Sequence, residues 1–103
     1  MKEYRTLDQV EEKYFINHPE EINDYITEIF LGYASDNNTP ALLASLRVLA
    51  CVKGISLLAE KTGMSRKGIQ KALSETGNPK FESINSIMHA MGYQLVPQQI
   101  SQQ

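Results

Sequence analysis

Four side chains within six residues have the chemistry of nucleic-acid recognition: Arg66, Lys67, Gln70 and Lys71. Arginine and lysine donate to guanine O6 and N7, and glutamine can pair bidentately with adenine. The four share one outward face if this stretch is a helix that buries Ile69, Ala72 and Leu73. The N-terminal end of such a helix meets base edges in the major groove, which favours Arg66, Lys67 and Gln70 as readers. Lys71, farther along, can reach a base or a phosphate. Hydroxyl, amide and ammonium groups flank the face: Ser56, Ser65, Ser74, Asn78, Lys80 and Ser83 are candidates for phosphate contacts. The plain alternative is a helical hairpin with a basic, solvated surface.

The charge distribution agrees with the first reading. The chain of 103 residues carries a formal net charge of −2. Residues 1–39 hold three basic against nine acidic side chains, whereas residues 40–103 hold seven basic against three acidic. The excess lies between Lys53 and Lys80, where six basic residues face only Glu60 and Glu75. A basic stretch in an acidic protein can serve as a footprint for phosphate.

Other chemistry is hard to assemble. His18 and His89 are far apart with no cysteine or carboxylate cluster beside them, and no nucleophile, metal or phosphate-loop motif is present. His18 reads as a helix-start residue and His89 as a surface one. The single cysteine, Cys51, leaves no internal disulfide framework or cysteine-rich zinc site. The expectation is a protein that is not an enzyme, with no cofactor and no metal. No apolar run approaches the ~20 residues of a membrane span, and Met1 to Arg5 does not open like a signal peptide. A soluble, cytoplasmic chain of one domain is expected, long enough to bury roughly two-thirds of its unfolded surface without staples.

The elements that must position the basic face form a helix-turn-helix. Ser56 can cap a helix whose inward positions are Leu58, Ala59 and Thr62. Gly63 sits where the chain must reverse, in a conformation that glycine adopts without steric cost. Met64 plugs the turn, and Ser65 caps the second helix. Small Ala59 lets the two helices cross closely, and Ile69 fills the angle between them.

The fold class expected is all-α: a compact bundle of about five to six helices containing this unit. Residues 1–16 fit either a short helix (Leu7, Val10, Tyr14) or an extended segment at Tyr14-Phe15-Ile16. Asn17-His18-Pro19-Glu20-Glu21 reads as a helix start. Ile22, Tyr25, Ile26, Ile29, Phe30 and Tyr33 then form one apolar stripe at helical spacing. After the breakers Ser35-Asp36-Asn37-Asn38, Thr39-Pro40 caps a helix that is apolar on most of its circumference, the expected core element. Cys51 on it reads as a small core residue, and Lys53-Gly54 ends it. A further helix carries Phe81, Ile84, Ile87, Met88 and Met91 on one face and closes at Gly92. Tyr93-Gln94-Leu95-Val96 alternates like a short strand, stopped by Pro97.

From about Glu20 to Val96 the chain resembles the addiction-module antidote proteins, HigA-like antitoxins of the Xre, or lambda-repressor-like, helix-turn-helix superfamily. The resemblance rests on Pro40-Ala41-Leu42-Leu43, Lys53-Gly54-Ile55-Ser56, Leu58 to Arg66, Lys71-Ala72-Leu73-Ser74, Gly77-Asn78-Pro79-Lys80-Phe81 and Ala90 to Leu95. It implies a bacterial type II antitoxin that neutralises a small basic RelE/HigB-like mRNA endoribonuclease and, as a homodimer on double-stranded operator DNA, represses its own operon. By position, Arg66, Lys67, Gln70 and Lys71 match the recognition surface and Ser56 a phosphate contact. Two departures stand out. Gly68 lies inside the recognition helix, and Gln70 stands where relatives commonly have an aromatic residue.

The expected organisation is an acidic helical segment at 1–39, a DNA-binding unit at 40–97 and a flexible tail at 98–103. Met88, Met91, Tyr93 and Leu95 are dimer candidates, though their pattern fits monomer core equally. The acids Asp8, Glu11, Glu12, Glu20, Glu21, Asp24 and Glu28 suit a basic toxin, or solubility alone. The alternatives are a stand-alone Xre-family repressor without a toxin, and an interaction module that has lost DNA binding.

Overall fold

Capping residues fix where the helices of this chain start and stop. The computed structural model describes residues 7–100, and these form six α-helices: α1 Leu7–Asn17, α2 Ile22–Asp36, α3 Thr39–Lys53, α4 Ile55–Thr62, α5 Arg66–Ala72 and α6 Phe81–Ala90. A single 3₁₀ turn, Pro19–Glu21, leads into α2. The segment left open between helix and extended chain is helical from Leu7, and the first six residues lie outside the described residues.

α2 stops because Asn37 takes a left-handed conformation (φ 55°) and its N–H donates to the Tyr33 carbonyl at 2.8 Å. Asn38 then starts α3, its side-chain oxygen accepting from the Ala41 N–H at 3.1 Å. This corrects the expected cap at Thr39-Pro40: those two are the first helical residues, and the asparagine before them does the capping. α3 and α4 meet at 96° across Gly54. α6 ends in a Schellman arrangement, with Gly92 at φ 98°, Gly92 N–H donating to the His89 carbonyl and Tyr93 N–H to the Met88 carbonyl.

α3 carries the densest share of the core: Leu43, Leu46, Val48, Leu49 and Ala50 are all buried. Around it pack Phe15 of α1, Ile22 and Ile26 of α2, Leu58, Ile69 and Leu73 of the α4–α5 region, and Ile87, Met88 and Met91. α1 lies chiefly on α3, anchored by Phe15, whose ring meets Tyr25 at 4.6 Å. At the α1–α2 corner Tyr14 stacks on His18 at 4.2 Å and donates its hydroxyl to the Glu21 carboxylate. That carboxylate also holds the phenol above its ordinary pKa.

Two further expectations are corrected, and an open one is narrowed. Tyr93–Val96 is not a strand: among the described residues there is none, because no second segment lies alongside to complete a ladder. Met88 and Met91, which fitted a dimer surface and monomer core equally, are 1% and 4% exposed and lie in the core of the single chain. Cys51 is exposed. The helix is apolar over more of its girth than the core can cover, so Cys51 falls on the side of Arg47, one turn away. Partial burial, with the nearby Glu12 carboxylate, raises its thiol pKa, opposite to what an activated nucleophile needs.

Candidate nucleic-acid interface

The α4–α5 unit is assembled from the residues that the sequence singles out. Leu58 and Ile69 are completely buried, with Ala59 and Met64 partly buried beside them. Gly63 takes the left-handed conformation at φ 78°, and its N–H donates to the Ala59 carbonyl. Thr62 secures the turn twice, donating its hydroxyl to the Leu58 carbonyl at 2.8 Å and accepting from the Met64 N–H at 3.1 Å. Ser65 caps α5, its Oγ accepting from the Gly68 N–H at 2.9 Å. Ser56 does not cap α4. That helix starts one residue earlier, with Gly54 at φ 106° in the capping position, and Ser56 lies exposed in the first turn.

With Ile69 and Leu73 buried, α5 turns Arg66, Lys67, Gln70 and Lys71 to solvent. All four are exposed, and none forms an ion pair or a side-chain hydrogen bond with a described residue. They form a concentrated, unpaired cationic and amide face. α5 ends at Ala72, so Ser74 lies beyond the helix and donates its hydroxyl to the Lys71 carbonyl at 3.0 Å.

A cleft of about 520 Å³ between α5 and the start of α6 gathers Lys71, Ser74, Asn78, Lys80 and Ser83. Half of the ten candidate contact residues therefore converge on one concavity, although they span thirteen positions of sequence. Lys80 occupies the α6 cap position, with no side-chain cap bond. The Ser83 and Ile84 amides donate to its carbonyl, and the Phe81 and Glu82 amides at the positive end of the helix have no partner among the described residues.

Two residues hold this arrangement: Gly77, known from the sequence only as part of the Gly77-Asn78-Pro79 motif, and Arg47, which sequence reasoning missed. Gly77 has a Cβ-sized space only 2.7 Å from the Lys71 carbonyl oxygen and 3.1 Å from that of Ser74. No side chain fits there, so glycine lets the 74–79 turn lie against the end of α5. Arg47 reaches from α3, donating Nη1 to the Leu73 carbonyl at 2.9 Å and Nη2 to Asp8 at 3.0 Å, with Glu75 at 3.7 Å. It thereby satisfies a terminal carbonyl of α5 and ties that end to α1. The signal was visible: Arg47 is the one charged residue between Thr39 and Val52.

The family model described as "Probable addiction module antidote protein" matches residues 6–99. The chain belongs to this antidote family. An 80-residue stretch is also 38% identical to a Haemophilus influenzae protein described as an "Uncharacterized protein", covering 78% of both chains. No solved structure matches. An addiction-module antidote acts against a toxin, so family membership implies an antitoxin role and a toxin partner. Within the antidote fold, the cationic face belongs to α5 and the acids concentrate in α1 and α2.

Proposed function

We propose that this antidote is the antitoxin of a bacterial type II module that neutralises a RelE/HigB-like mRNA endoribonuclease and represses its own operon through a helix-turn-helix. It is not an enzyme and works in the cytoplasm, associated with the nucleoid when bound to DNA. In this reading α4 and α5 are the two helices of the motif. Arg66, Lys67 and Gln70 read base edges, while Lys71 and the cleft residues Asn78, Lys80 and Ser83 take phosphates. One observation carries the DNA half of the reading: the unpaired face of α5 lies opposite the buried Ile69 and Leu73 and beside a cleft that brings Lys71, Asn78, Lys80 and Ser83 together at the start of α6. As a homodimer the chain places its two α5 helices one DNA turn, ~34–36 Å, apart on a palindromic site.

The test has two arms. Inducing the small reading frame encoded beside this one should arrest growth, and co-expression of this chain should relieve the arrest. The purified chain should bind its own upstream region, with Arg66→Ala costing ~1–3 kcal/mol and relaxing preference at one base pair. Arrest without relief, or no arrest, shifts the reading to a stand-alone Xre-family repressor. Relief of arrest without DNA binding leaves an antitoxin that does not regulate its operon.

A further inference from the structure

A groove of about 430 Å³ runs between α2 and the extended segment after Gly92, lined by Ile26, Phe30, Leu31, Ala34, Leu95 and Val96 among others. Its floor is apolar, and its two rims carry large apolar side chains turned to water: Leu31 is 60% exposed and Val96 68%. The backbone of Gln94, Leu95 and Val96 makes no hydrogen bond to another described residue. On α2, Asp24 and Glu28 precede Leu31 by seven and three residues, so the three share one ridge. Both acids are exposed and neither is in an ion pair with a described residue. An apolar centre flanked by a charged rim is the anatomy of a protein interface.

We infer that this groove is the docking surface for a basic protein partner, the toxin of the module, which inserts apolar side chains between Leu31 and Val96 and lays cationic side chains along Asp24 and Glu28. The inference rests on the antidote reading for the existence of that partner, and on charge complementarity for its sign. A second copy fits less well. Two-fold pairing sets the same patch against itself, bringing one acidic ridge toward the other. None of the groove's lining residues belongs to α4 or α5, so a partner seated there leaves the cationic face of α5 open.

The experiment uses the full chain and the purified product of the adjacent reading frame. Leu31→Asp and Val96→Asp alter exposed side chains, so both variants should keep the wild-type unfolding midpoint and affinity for upstream DNA. Each should weaken complex formation at least tenfold by calorimetry and fail to relieve growth arrest. Asp24→Lys with Glu28→Lys should slow association, by a factor that shrinks as salt is added. Wild-type affinity in both aspartate variants would overturn the docking site. So would a Leu31→Asp variant that turns a dimer into a monomer while binding the toxin normally, because the groove would then hold a second copy. A wild-type chain that relieves no arrest would fail the antidote reading itself, and the docking proposal with it.

Discussion

α2 and α5 are opposites in how they come to be helices. α2 has fifteen residues, a continuous apolar stripe and a left-handed asparagine that stops it. α5 has seven, with Gly68 at its third position, and a segment that short does not hold a helix by itself in water. Its shape is borrowed from the Ser65 cap, the burial of Ile69 and Leu73, the guanidinium of Arg47 on its last turn and the close approach of Gly77. The candidate recognition chemistry therefore sits on the least autonomous element of the fold. Residues off the cationic face should control its behaviour as strongly as those on it.

Four substitutions sharpen this contrast. The largest effect is expected at Gly77→Ala, whose Cβ would lie 2.7 Å from the Lys71 carbonyl oxygen. Forcing the turn off α5 should cost about 3 kcal/mol in denaturant unfolding, the upper end for overpacking, and lower DNA affinity as well. Arg47→Met keeps the packed stem but leaves the Leu73 carbonyl and Asp8 without their donor. It should cost about 1.5 kcal/mol, the lower end for a hydrogen bond to a charged group at a partly exposed site. DNA affinity should fall while the salt dependence of binding stays unchanged, since no phosphate contact is lost. A salt slope reduced by about one would instead make Arg47 a phosphate ligand.

The remaining two compare glycines inside the two helices. Gly32 in α2 has open space where a Cβ would go, so Gly32→Ala should stabilise by about 1 kcal/mol through helix propensity alone. Gly68 in α5 has Ser65 Oγ at 3.0 Å from that point. There the same gain is offset by crowding of the cap, and Gly68→Ala should change stability by less than about 0.5 kcal/mol. Equal stabilisation at both glycines would contradict the dependence of α5 on its cap.

What the sequence could reveal follows the same division. The stripe from Ile22 to Tyr33, the glycine turn at Gly63 and the cap at Ser65 are local signals, set by periodicity and backbone conformation, and they appear where expected. The outward face of α5 followed from them because burying Ile69 and Leu73 leaves only one side for Arg66, Lys67, Gln70 and Lys71. Two local readings slipped, the caps expected at Thr39-Pro40 and at Ser56; the larger failures were non-local. Arg47 meets partners 26 and 39 residues away, and Gly77 is required by a carbonyl across a turn. The exposure of Cys51 depends on how much of α3 its neighbours cover. An alternating tetrapeptide such as Tyr93–Val96 becomes a strand only if another segment lies beside it.

DNA recognition by α5 is tested most directly by the affinity of the chain for its upstream DNA, measured from low to physiological salt for wild type and for Arg66→Ala with Lys71→Ala. Wild type should show a steep negative dependence of log K on log[salt]. The double variant should bind more weakly, show a shallower slope and keep its fold. Identical affinity and slope in both proteins would contradict that recognition, because the face of α5 would then make no contact with DNA.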